Sequence, residues 1–253
     1  MNEIDFCFRP KLRLAYKNVI ILTIILLLPL FYYCSCSSKK LVPQFSSIHN
    51  LDKLSLAKEF APNLHINKNE FFRLERLYVV IHSEKPIIAY HLFWGDDIDF
   101  PDEGQPNDHE IIWVQYNNDR SRAVCVWTYW HGKILKKSFP KESNIKNPNI
   151  YIQWGKHGSL PPNWNKGFSF RPKMEIYFNY LLCKYIHRHN RSSVSKTWPR
   201  RFDGDYKDYL AFDDTLELSS IILEEKVLIC VNANEQIHSF YKENFSYKTE
   251  WPD

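Results

Sequence analysis

The residues best placed to do chemistry lie where two aromatic runs meet. Trp94-Gly-Asp96-Asp97-Ile-Asp99 is followed by Asp102 and Glu103, and then by Asp108-His109-Glu110, which leads into IIWVQY. On a strand, residues two apart share a face about 6.7 Å apart, so Asp108 and Glu110 project together with Ile112 and Val114, while His109 goes with Ile111 and Trp113. Two carboxylates on one face repel unless one is protonated or a cation sits between them. With further carboxylates on the preceding loop, a hard divalent cation at Asp97, Asp108 and Glu110 is the simplest answer. A solvated acidic loop is the bland alternative and accounts well for 99–103. It fits Asp108-His109-Glu110 less well, because charge at the mouth of an apolar strand is costly unless it is hydrogen-bonded or ligated.

Two histidines follow beside glycines, His131 in WTYWHGK and His157 in QWGKHGS. At corresponding loop ends of one sheet they would converge near the Asp108/Glu110 edge, as metal ligands or as acid and base. The alternative for each is a turn histidine bonded to a backbone carbonyl. His91, inside AYHLFW, reads as a half-buried strand residue.

The elements that would position these groups are legible as runs. Leu51 to Phe60 carries apolar residues at 51, 54, 56, 57 and 60, a short amphipathic helix ended by Pro62. The period then changes: RLYVVIH (76–82), PIIAYHLFW (86–94), HEIIWVQY (109–116), RAVCVWTYW (122–130) and NIYIQWG (149–155) are rich in β-branched and aromatic residues. Five strands in succession, separated by turn-rich segments, predict an antiparallel sheet or sandwich rather than alternating βαβ units. Lys173 to His187 has helical spacing at Ile176, Tyr180, Cys183 and Ile186, just after Pro172. Asp214 with Glu217 suggests a capping box before LELSSIIL, and KVLICVNA (226–233) one more strand. The expected fold is α+β: an antiparallel β-sandwich core, with helices mainly in the C-terminal third, in a single domain over 51–253.

The N-terminus makes a separate statement. Arg9, Lys11, Arg13 and Lys17 precede Val19–Cys34, an uncharged run that suits the apolar core of an export signal. Cys34-Ser-Cys36-Ser-Ser then resembles a bacterial lipoprotein signal with Cys36 as the lipidated residue. An uncleaved signal anchor and ordinary secretion are the alternatives. On this reading residues 1–36 target the membrane and 37–50 form a tether. The positive flank stays cytoplasmic, so the domain faces the periplasm or cell surface.

Composition narrows the classes. Aromatic residues make up 16% of the chain against only 7 Gly, which excludes low-complexity disorder. Lys and Arg number 33 against 29 acids, a net charge of +4 that is too balanced for a general nucleic-acid binder. Cys125, Cys183 and Cys230 are too few for a disulfide framework, and Cys125 and Cys230 sit in apolar runs as buried thiols do. Between Glu175 and Asp203 no acid occurs while six Lys and Arg do, a patch suited to anionic headgroups or a solvated helix end. Asp203-Gly-Asp205-Tyr-Lys-Asp208 has a calcium-loop look without EF-hand spacing.

The order AYHLFWGDD, DHEIIWVQY, AVCVWTYWHGK, NPNIYIQWGKHG over about 86–160 resembles the necrosis-inducing cytolysin-like proteins, in which an H-x-x-D-W-E segment opens a strand. Gly155-Lys-His157-Gly is also similar to the G-S-H segment of vacuolar-sorting-associated-like proteins that share the D-W-E core. The resemblance implies that Asp97 is an acidic metal ligand, Asp108 and Glu110 the D and E of the core, and His131 the later His-Gly. Gln105 stands where the cytolysins have a metal-binding His, and His109 replaces Trp. Gln still offers a carbonyl oxygen to Ca²⁺ or Mg²⁺. Cytolysis itself does not travel with a fold.

Three functions follow as expectations. The first is a membrane-anchored binding protein whose Ca²⁺ or Mg²⁺ site engages an anionic lipid headgroup or glycan. The second is a metal-dependent hydrolase using Zn²⁺ or Mn²⁺, with His131 or His157 handling the proton. The third is a structural envelope protein.

Overall fold

A computed structural model describes residues 51–98, 108–167, 170–185, 201–240, 248 and 250–252. The aromatic and β-branched runs form β2 (Leu74–His82), β3 (Ile87–Trp94), β4 (Asp108–Tyr116) and β5 (Ala123–Trp130), each antiparallel to the next. They are preceded by α1 (Leu51–Glu59) and β1 (Asn63–Ile66) and followed by β6 (Lys133–Ser138), β7 (Asn149–Ile152) and β8 (Ser159–Leu160). The C-terminal part holds α2 (Trp164–Gly167), α3 (Phe170–Tyr185), α4 (Tyr206–Tyr209), β9 (Asp214–Glu217), β10 (Val227–Cys230) and α5 (Ala233–Phe240).

Two sheets result, a six-stranded one in the order β10-β2-β3-β4-β5-β6 and a four-stranded one in the order β8-β7-β1-β9. Strand alternation divides the large sheet between two cores. Ile88, Tyr90, Leu92 and Trp94 point with Ile112 and Val114 toward Leu64, Ile150 and Ile152 of the small sheet and toward Phe60. Ala89 and Phe93 point the other way with Ile111 and Trp113, where Ala233 and Ile237 of α5 close the layer. Every residue of β3 is therefore buried, which explains its nearly unbroken apolar run. At the far edge, β6 is exposed and presents Lys133, Lys136 and Lys137, which blunt it against pairing with another chain.

The class is the α+β expected, with helices mostly toward the C-terminus, but the sheets are mixed. β1 pairs parallel with β7, and β10 parallel with β2, because the chain returns to both sheets after long excursions. Asp214–Glu217 is a strand antiparallel to β1 rather than a helix start. The capping box lies earlier: the Asp205 side chain accepts from the Asp208 N–H and Asp208 reciprocates, both at 2.9 Å, so the acidic Asp203–Asp208 segment serves a helix end. Helix α3 begins at Phe170, with Pro172 in its first turn, where a missing N–H costs nothing. Ile176, Tyr180 and Cys183 face inward, while Met174, Tyr177, Phe178, Leu182 and Tyr185 form an exposed stripe on the same helix.

Candidate functional site

The ends of β3 and β4, together with the β7–β8 turn, gather the acidic and histidine residues. Trp94 is opposite Asp108 in the register, and the turn brings His157 between them. His157 is fully buried, its Nδ1 lies 2.5 Å from Asp108 Oδ2, and its Nε2 faces Glu70 Oε1 at 3.5 Å. The Trp94 ring stacks on the imidazole at 4.3 Å and 6°, and Phe72 meets it edge-on. Burial alone would lower the His157 pKa, but Glu70 and Asp108 outweigh it and raise it to about 10. His157 is thus an imidazolium locked between two carboxylates, and cannot accept a proton near neutrality.

The backbone supports that placement. His157 adopts φ 50° and Gly155 φ 67°, left-handed conformations that turn the chain sharply after β7. The Gln153 carbonyl accepts from the His157 N–H, which ends the strand at Ile152, short of the expected Gly155. Glu70 fastens the turn from outside: one carboxylate oxygen accepts from the Phe71 and Phe72 N–H groups, the other from the Gly155 N–H at 2.8 Å.

Glu110 sits two residues along from Asp108 and is answered differently. Lys248 donates to its Oε1 at 2.9 Å and also to the His109 carbonyl. Oε2 is buried without a hydrogen-bond partner among the described residues. Burial raises the carboxyl to about 8, with Lys248 opposing and Asp108 reinforcing the shift. On the reverse face, His91 Nδ1 and His109 Nε2 lie 3.0 Å apart with stacked rings. Burial, then Lys248, lowers His91 to about 3; burial, then His91 and Lys248, holds His109 well below its ordinary value, so both are neutral.

The other expected site residues are placed as follows. Asp97 is half-buried in the turn after β3, its N–H on Asp96 Oδ1, between Gly95 bonded to the Arg73 carbonyl and Ile98 bonded to the Gly155 carbonyl. His131 is exposed in the two-residue turn joining β5 to β6, at φ 43° and followed by Gly132 at φ 78°, the pair of positive angles that suits such hairpins. Its Nε2 lies 2.6 Å from Gln153 Oε1, and the Gln153 amide nitrogen donates to the Tyr209 hydroxyl at 2.6 Å. Thus His157 meets Asp108 directly, whereas His131 joins the same turn through Gln153. Cys36 and the apolar run 19–34 lie outside the described residues, as do Asp99, Asp102, Glu103 and Gln105. Among the described residues no helix is long and apolar enough to cross a membrane.

The donor chemistry at this edge, carboxylate oxygens and one buried unpartnered oxygen of Glu110, fits a hard cation in kind. In number it fits less well: no group of three His, Cys, Asp or Glu is arranged to hold a metal among the described residues. Cys125, Cys183 and Cys230 are buried thiols outside any disulfide, and burial pushes Cys125 up to about 11 and Cys230 to about 12, so neither of these two is a thiolate at neutral pH. Glu70 and Lys248 were not found from the sequence. Each is a single charged residue in an irregular segment, far along the chain from its partner, and no spacing marks it.

No family model and no curated protein matches the chain. Among solved structures, it is similar to necrosis and ethylene inducing protein 2 from the causal agent of cocoa's witches' broom disease. The identity is 18% over 42% of this chain and 70% of that one, with a TM-score of 0.30. That protein belongs to the group which residues 86–160 resemble, and at this score the likeness adds nothing on site or activity.

Proposed function

We propose that the protein is a binding module in which a divalent cation, Ca²⁺ or Mg²⁺, held at Asp97, Asp108 and Glu110 engages an anionic lipid headgroup or a glycan on the non-cytoplasmic side of a membrane. The observation that carries the reading is Glu110: Lys248 holds one carboxylate oxygen, while the other is buried without a hydrogen-bond partner among the described residues and is the position open to a cation. The locked, fully buried His157 supports binding over hydrolysis, since a histidine that stays protonated and enclosed cannot serve as a general base.

The test is the thermal midpoint of the full chain in mild detergent after EDTA, with Ca²⁺, Mg²⁺, Mn²⁺ and Zn²⁺ returned separately. A metal that binds only the folded state at a hundred times its Kd stabilises by about 2.7 kcal/mol. Ca²⁺ or Mg²⁺ should raise the midpoint, and Glu110→Gln should remove the rise. No response to any metal would overturn the cation and leave a closed ion network; a response to Zn²⁺ or Mn²⁺ alone would favour the hydrolase.

A further inference from the structure

A concavity lined by residues of β7, α2 and α3 has a different character from the ion cluster. It is a cleft of about 530 Å³ walled by Tyr151 of β7, Trp164 of α2, and Tyr206 and Phe212. Phe212 meets Tyr151 edge-on at 5.2 Å and Trp164 at 6.4 Å, so the rings form an angled wall. Between them stand Asn163, Asn165, Lys166 and Lys173. All four are exposed, and no carboxylate lines the cleft. Among the described residues, none of these four side chains, nor the Tyr151 and Tyr206 hydroxyls, makes a hydrogen bond or ion pair within the protein.

Each class of group restricts what fits. Aromatic faces carry negative π density and attract the weakly positive C–H groups of an aliphatic ring. Asn amides present one acceptor and two donors apiece, which suits vicinal hydroxyls. Two lysines with no acid beside them call for negative charge. A purely apolar ligand would strip water from four polar side chains without return. A bare anion would leave the rings unused. The volume is in the range of small-ligand pockets.

We propose that this cleft binds a sugar ring bearing a negative group, a carboxylate or a sulfate or phosphate ester. The rings hold the C–H face, Asn163 and Asn165 the hydroxyls, and Lys166 and Lys173 the charge. The site is separate from the cation edge and does not require it, so the failure of either proposal leaves the other standing.

The test is titration calorimetry on the full chain in mild detergent with EDTA present, using a sulfated uronic-acid disaccharide, a neutral disaccharide and inorganic sulfate. The acidic disaccharide should bind at least ten times more tightly than the neutral one, and sulfate should not saturate the site. Lys166→Gln with Lys173→Gln should cost at least tenfold for the acidic sugar alone, with the thermal midpoint unchanged. Tyr151→Leu should weaken both sugars. An acidic glycolipid in phosphatidylcholine vesicles that outbinds the free disaccharide supports the cleft with a lipid-borne sugar; the reverse order supports it with a sugar of a polymer. No saccharide binding, sulfate binding as tight as the sugar, affinity untouched by the lysine pair, or binding that appears only when Ca²⁺ or Mg²⁺ is restored would each overturn the proposal.

Discussion

The ion cluster at the sheet end and the aromatic cleft beside α2 use their polar groups in opposite ways. Around His157, two carboxylates, an imidazolium and three backbone N–H groups face one another, and Glu110 Oε2 beside them is buried without a hydrogen-bond partner among the described residues. In the cleft, the side chains of Asn163, Asn165, Lys166 and Lys173 make no hydrogen bond or ion pair among the described residues. A closed network holds a backbone in place; an open set of donors on a rigid wall waits for something from outside. Charge density in the sequence points to the first, but availability in the structure belongs to the second.

The contrast is most exposed at His157. His157→Leu leaves Glu70 and Asp108 buried without their shared cation, and breaking a buried ion pair costs about 3–5 kcal/mol. Urea unfolding should show that loss, and a loss under about 1 kcal/mol would break the distinction. Next comes Gly158, where a Cβ would lie 2.9 Å from the buried Trp130 ring. Gly158→Ala should destabilise by about 1–3 kcal/mol through overpacking.

The reverse face of the sheet gives a titration. His91, held at about 3 by burial and Lys248, stays neutral in the fold but protonates in the unfolded chain below about 6.5. The unfolded state therefore binds the extra proton as pH falls, so stability present above 6.5 is lost on acidification toward 3, by up to about 1.4 kcal/mol per pH unit. His109 and Lys248 face it, and His109 adds in the same direction. Denaturant midpoints between pH 7 and 4 should fall, and His91→Gln should flatten the slope; an unchanged slope would show that other groups control the acid limb. The smallest effect belongs to the cleft. Lys166→Gln and Lys173→Gln touch exposed, unpaired side chains and should move stability by less than about 0.5 kcal/mol.

What could be read in advance follows the range of the forces. Strands β2 to β5 were visible because each alternates or saturates with β-branched and aromatic residues, a local property. The facing of Asp108 and Glu110 with Ile112 and of His109 with Ile111 follows from the same period. β1, β8 and β9 are two to four residues long and owe their pairing to partners far along the chain, so Asp214–Glu217 looked like a helix start. That Asp108 and Glu110 share a face, and so repel unless one is protonated or a cation sits between them, is also legible from the strand period. His157 and Lys248 supply positive charge from distant segments, and no periodicity in 94–116 can name them.

The two long-range pairings that complete the sheets also set a timetable. Val79 of β2 pairs with Val227, and Leu64 of β1 with Leu216, so neither strand meets its last neighbour until about 150 residues further along the chain have been made. During synthesis from the N-terminus, β2 presents an open edge until β10 emerges. Assembly must wait for β9 and β10, and contacts of such sequence separation form slowly. A truncation before residue 214 would keep both edges open indefinitely, and its fate would be strand-to-strand association between copies rather than a smaller version of this domain.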